Sequence, residues 1–183
     1  MRKIILISGV GGVGKTTLAK EFQDNSNIIC LDKLQEFCVK QHIDKNIKNP
    51  YAWHHWRNDK IRNKASHMIL DGLKARYHEI RFNKNKIIAE GSILIFDWFV
   101  EIFLDCLERM LVGESFELNW CQLKLNLNKV IAQLNKRAEP WDLRKLKNLD
   151  KFKENHEGYS SISKLPWVIF ENHEDLRRFI KIS

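Results

Sequence analysis

No apolar run in this chain approaches the roughly 20 residues that a membrane-spanning helix needs. An integral helical membrane protein is therefore not expected. The N-terminus enters its first apolar run at once, without the graded regions of a secretory leader, so none is expected. The cysteines lack any C-x-x-C pairing: Cys30, Cys38, Cys106 and Cys121 are scattered. They read as reduced core residues of a cytoplasmic protein, not as a disulfide framework or a zinc site. Repeats and low-complexity linkers are missing too. Charge of one sign is nowhere blocked: 31 Lys and Arg stand against 23 Asp and Glu, a net +8, dispersed along the sequence. Such a balance suits phosphate-bearing ligands and also nucleic acid, and equally a solvated basic surface.

What is present is enough for one domain over residues 1–183 with a real core; hydrophobic content is 44 %. Short apolar runs alternate with helical patterns, which predicts an α/β fold built on a parallel sheet. Strands are expected at about 3–8, at Asn27 to Leu31, at Lys86 to Ala89, at about 120–125 and at Trp167 to Phe170. Helical spacing spans about 51–82, then about 93–111. In the latter, Asp97, Glu101, Asp105 and Glu108 form one wet stripe on an apolar helix, whose broad apolar face also suits pairing with a second copy. Asn126 or Asn128 is placed to cap the helix through Val130, Ile131 and Leu134. Five strands with intervening helices make a three-layer, doubly wound sheet. Ligands of such sheets sit beyond the carboxyl ends of the strands.

The first strand runs into Gly9-Val10-Gly11-Gly12-Val13-Gly14-Lys15-Thr16-Thr17, and a helix pattern follows. This is a complete Walker A box in its required strand–loop–helix setting. Four glycines in six positions free the backbone to turn its amides inward as an anion nest. The helix starting near Gly14 adds the positive end of its dipole. Lys15 is suited to the β- and γ-phosphates, and the Thr16 hydroxyl to magnesium. The box therefore predicts binding of a nucleoside triphosphate, ATP with Mg²⁺.

The box resembles three groups of P-loop proteins. Large STAND-type signalling ATPases share G-G-V-G-K-T-T-L-A, but they are far longer than this chain. ParA-type partition ATPases carry a lysine just before the Gly-Gly pair, where this chain has Val10. Small nucleoside and nucleotide kinases fit the length. That resemblance implies an ATP-dependent phosphotransferase acting on a small nucleoside or nucleotide. A polynucleotide 5′-hydroxyl or another small metabolite is the alternative acceptor, and a slowly hydrolysing ATP switch the alternative class.

Residues beyond the strand ends extend this reading. Asp32 follows the second strand, where it could serve as base toward an acceptor hydroxyl, hold magnesium through water, or cap residues 33–39. Glu90 closes the third strand, and Gly91 beside it would allow close approach of substrate. Glu90 suits magnesium water or the acceptor, and the sequence does not decide which of the two carboxylates is the base. By resemblance, about 33–82 is the acceptor-binding helical region. Trp53 or Trp56 there could stack on a base or form a core pair, and Arg57 or Arg62 could bind an acceptor phosphate. Adjacent His54 and His55 make a poor metal pair on a helix. By the same resemblance, about 136–157 is a lid whose Arg137 and Arg144 close over the transferring phosphoryl group; the alternative is an exposed basic helix end. Asn172, after the last strand, would flank the adenine, or simply cap a helix.

Overall fold

The computed structural model describes residues 1–50, 61, 63–78 and 84–183. Its strands are β1 (Arg2–Ser8), β2 (Asn27–Cys30), β3 (Lys86–Glu90), β4 (Phe116–Leu123) and β5 (Val168–Phe170). All pairings are parallel, and the order across the sheet is β2-β3-β1-β4-β5. The helices among the described residues are α1 (Lys15–Lys20), α2 (Leu31–His42), α3 (Ala65–Tyr77), α4 (Asp97–Met110), α5 (Leu127–Arg137), α6 (Pro140–Lys147), α7 (Leu149–Gly158) and α8 (His173–Ile182).

β1 shows why the sheet is sandwiched. Ile4 and Leu6 join one apolar cluster, with Leu34 of α2, Met68 of α3 and Phe103 of α4. Ile5 and Ile7 point the other way, into a second cluster with Leu18 of α1, Val130 of α5, Phe152 of α7 and Leu176 of α8. The period-two geometry of a strand forces that division, and an unbroken Ile-Ile-Leu-Ile run can satisfy it only when helices cover both faces. The expected three-layer, doubly wound α/β sheet is therefore observed.

Parallel strands bring all five carboxyl ends to one edge. Ile7 and Cys30 are both in register with Glu90, and Ser8 with Gln122. The polar residues expected to carry chemistry follow these positions.

Several boundaries differ from the expected ones. β2 stops at Cys30, and α2 begins at Leu31, so Asp32 lies in the first helical turn instead of capping it. The apolar segment 93–111 is not one helix: Ser92–Ile95 form a 3₁₀ turn, and α4 starts at Asp97. The Asp97 carboxylate accepts the backbone N–H of Lys164 at 3.0 Å and the Ser163 hydroxyl. It thus leaves the wet stripe, which Glu101, Asp105 and Glu108 maintain as exposed residues. The fourth strand begins earlier, at Phe116. Of the helix expected over 51–82, the described part is Ala65–Tyr77. Asn126 is the cap, its side chain accepting the N–H of Asn128.

Phe103 is fully buried and stacks on Phe99, with ring centroids 6.3 Å apart. Phe103→Ala is expected to lower unfolding free energy by about 3–5 kcal/mol in denaturant titration. A loss under about 1 kcal/mol would contradict the packing described.

Candidate active site

The Walker segment forms the strand–loop–helix turn that its sequence demands. Gly9 has φ +144°, and a Cβ there would meet the Leu123 carbonyl oxygen at 2.5 Å. Gly14 has φ +86° and sits against His173 of α8, whose Nε2 would be 2.7 Å from an added Cβ. Both positions therefore exclude side chains for conformation and for space. His173 Nε2 donates to the Val13 carbonyl at 2.7 Å, tying α8 to the loop.

Lys15 is almost fully buried, at 6 % exposure. Its ammonium donates to the carbonyls of Gly9 (2.8 Å) and Val10 (3.1 Å) and to the Ser92 hydroxyl (3.2 Å). All three protons are thus directed back onto the loop and the turn after β3. Burial holds the Lys15 value below the usual lysine range, and the charge of Glu90 opposes that shift.

Glu90 has no exposed surface. Oε1 accepts the Thr16 hydroxyl at 2.9 Å, whereas Oε2 is buried with no hydrogen-bond partner among the described residues. Burial raises its value above the usual carboxylate range; Lys15 works in the opposite direction. The neighbouring Cys30 thiol is pushed up to about 12 by burial and by the Glu90 charge, and stays protonated. A hydroxyl and an under-coordinated carboxylate side by side form a hard-oxygen pair that fits a magnesium ion, which keeps most of its other ligands as water and phosphate. The inward-facing loop fits a triphosphate.

A cavity of about 1150 Å³ opens from the loop. Gly11, Gly12, Gly14, Lys15, Thr16 and Thr17 line one side; Cys30, Asp32 and Gln35 line another. Arg137, Asp142, Arg144 and Lys145 face them from the α5–α6 region. Asp142 is only 1 % exposed and binds Arg137 through two contacts of 2.5 Å. Arg137 is thus held in a bidentate ion pair, while exposed Arg144 lines the cavity. Lys145 lies 3.8 Å from Asp142, and its Nζ covers the loop, 2.6 Å from where a Gly11 Cβ would be. Burial lowers the Lys145 value, and Asp142 counters it.

The match to families follows this geometry. A family model described as an AAA domain matches residues 5–158. The chain belongs to the AAA-domain family. This AAA-domain protein combines a P-loop box with a nucleotide-kinase-like, five-stranded parallel sheet. Solved structures similar to it include a shikimate kinase from Bacteroides thetaiotaomicron, at 16 % identity over 99 % of this chain and 96 % of that one, with a TM-score of 0.42. A shikimate kinase from Acinetobacter baumannii, solved in complex with shikimate, has 15 % identity, coverage of 99 % and 91 %, and a TM-score of 0.45. An uncharacterized protein from Eubacterium ventriosum has 16 % identity, coverage of 100 % and 97 %, and a TM-score of 0.46. No curated protein matches the chain.

The expected residues Lys15, Thr16, Asp32, Glu90, Arg137 and Arg144 all gather at the carboxyl edge of the sheet. Trp53, Trp56, Arg57 and Arg62 lie outside the described residues. Gly91 serves a packing purpose: a Cβ there would meet Leu31 Cβ at 2.7 Å, so the absent side chain admits α2. Asn172 caps α8, its side chain accepting the Asp175 N–H at 2.9 Å. Sequence reading missed Tyr159, whose hydroxyl bonds Ser8 Oγ (3.0 Å), Gly9 N (3.2 Å) and the Ser92 carbonyl (2.7 Å). It also missed Lys145 and Gln35. No local pattern marks these residues; for Lys145 the one signal was its place beside Arg144 in the basic run.

Glu90→Gln is expected to stabilise the ligand-free protein by roughly 1 kcal/mol at pH 7, about 2–4 °C in thermal midpoint. Burial lifts the folded value above the usual 4.5, so ionisation at neutral pH penalises the folded state. Below that usual value both states are protonated and the gain disappears. A lower midpoint at pH 7, or a gain that persists in acid, would refute the assignment.

Proposed function

We propose that this protein is an ATP-dependent phosphotransferase that moves the γ-phosphoryl group of Mg·ATP to a small nucleoside or nucleotide. The observation that carries the reading is the single cavity that runs from the loop amides and Lys15 to Asp32. At about 1150 Å³ it exceeds the roughly 300–1,000 Å³ of an ordinary ligand pocket, which favours two substrates held together.

In this reading Gly9, Gly11, Gly12, Val13, Gly14, Lys15 and Thr17 hold the phosphates, and Thr16 ligates magnesium. The metal, when bound, neutralises phosphate charge and fixes phosphate orientation. Glu90, sealed from solvent and bonded to Thr16, belongs to the metal side. Asp32, half-buried and lining the cavity, belongs to the acceptor side and takes the proton of the attacking hydroxyl. Arg144 and Lys145 supply positive charge opposite the loop. Arg137 joins them once phosphate competes for its pairing with Asp142. Asn172 and His173, at the outer end of the loop, flank the nucleoside. Loop, metal and cations act chiefly by positioning and by charge stabilisation in a partly water-excluded site.

Lys15→Ala should abolish transfer of labelled phosphate from ATP across a screen of hydroxyl and monophosphate acceptors. Asp32→Asn should cut turnover by about 10²–10⁴-fold with little change in ATP affinity. Retained turnover in Lys15→Ala would sink the role assigned to Lys15. Full activity in Asp32→Asn would remove Asp32 as the base, and absence of transfer to every acceptor by the natural protein would leave only a nucleotide-driven switch.

A further inference from the structure

Gln35 has no task in the fold that its surroundings explain. It lies in α2 one turn beyond Asp32, on the same helical face, and lines the cavity. It is 2 % exposed, and its Nε2 has no hydrogen-bond partner among the described residues. Its helix neighbours Leu31 and Leu34 are apolar and buried. An apolar side chain of similar length would fill the place without stranding an amide, and a stranded buried amide destabilises the free protein. The group becomes satisfied when something polar enters the cavity.

The chemistry of that entrant is constrained. The amide is neutral, so it cannot offset a buried charge. Of the cations lining the cavity, Lys15, Arg144 and Lys145 stand on the loop and on α6, whereas the ionisable side chain on Gln35's own helical face is Asp32, an acid, which repels an anion. Lys33 is exposed and lies about 100° around the helix from Asp32. What fits beside Gln35 is an uncharged oxygen.

We propose that Gln35 determines acceptor specificity by hydrogen-bonding an uncharged hydroxyl or carbonyl oxygen of the acceptor, set about one helical turn from the hydroxyl that faces Asp32. The proposal rests on the phosphotransferase reading above. It narrows the acceptor to a neutral molecule bearing several oxygens, of the size of a nucleoside, and disfavours a hydroxy acid.

The test uses the full chain with Mg·ATP and two sets of probes. The neutral set is adenosine, uridine, their 2′- and 3′-deoxy forms, glucose and myo-inositol. The charged set is shikimate, glycerate and the nucleoside monophosphates AMP, CMP and UMP. Each is assayed with the natural protein, Gln35→Met and Gln35→Glu. Expected are transfer to a neutral probe, and an acceptor KM at least about tenfold higher in both variants with an ATP KM within about twofold. The ligand-free midpoint of Gln35→Met should rise by about 2–4 °C, a readout that needs no acceptor. An unchanged acceptor KM with transfer intact, transfer to the charged set alone, or a lowered midpoint in Gln35→Met overturns the assignment and leaves the kinase reading standing. Absence of transfer to every probe by the natural protein overturns both.

Discussion

The Glu90 carboxylate at the end of β3 is the constraint around which the site is built. A charge with no exposed surface costs several kcal/mol of desolvation unless its surroundings answer it. Here the answer is partial: one hydrogen bond from Thr16, the nearby charge of Lys15, and a protonated Cys30 thiol. Lys15 carries a mirror-image penalty, met by two loop carbonyls and Ser92. The two charges have opposite sign, and each group offsets part of the other's penalty. Neither could persist without the apolar clusters on both faces of β1, which supply the free energy that holds both groups in place.

The proposed acceptor side is positioned by a gap. Gly91 lacks the Cβ that would collide with Leu31, so the first turn of α2 settles directly over the end of β3. That turn carries Asp32, and the next one Gln35. A helix packed one side chain further away would withdraw both from the cavity. Tyr159 does the equivalent work on the far face. Its hydroxyl reaches Ser8, the Gly9 amide and the Ser92 carbonyl, joining the ends of β1 and β3 to the turn after α7. Burial raises the Tyr159 value, so the hydroxyl keeps its proton and can donate.

What could be read from sequence was local. The Walker glycines announce their turn because positive φ and close backbone approach leave no other residue type. Apolar runs such as Ile4 to Ile7 announce buried strands, and Asn126 announces a cap. Boundaries failed where a side chain found a distant partner. Asp97 breaks the 93–111 segment because Ser163 and Lys164 come to meet it from 66 and 67 residues away. Arg137 looked like a free lid cation, but its ion pair with buried Asp142 emerges only when α6 folds back on α5. Gln35 and Tyr159 are common residues at unremarkable spacings. Their meaning lies in what surrounds them, which no local pattern encodes.

Two polar atoms buried at this site, Glu90 Oε2 and Gln35 Nε2, have no partner among the described residues. In the proposed reaction they lie on opposite sides, Glu90 Oε2 behind the Thr16 hydroxyl and Gln35 Nε2 beside the Asp32 carboxylate. Each lowers the stability of the free protein, and each is a place where a ligand can return what the fold gave up. In the proposed reaction the two atoms face different substrates, so each binding event offsets its own deficit and the two gains add. The buried polar groups that weaken the free fold thus put part of its lost stability where ligands can restore it.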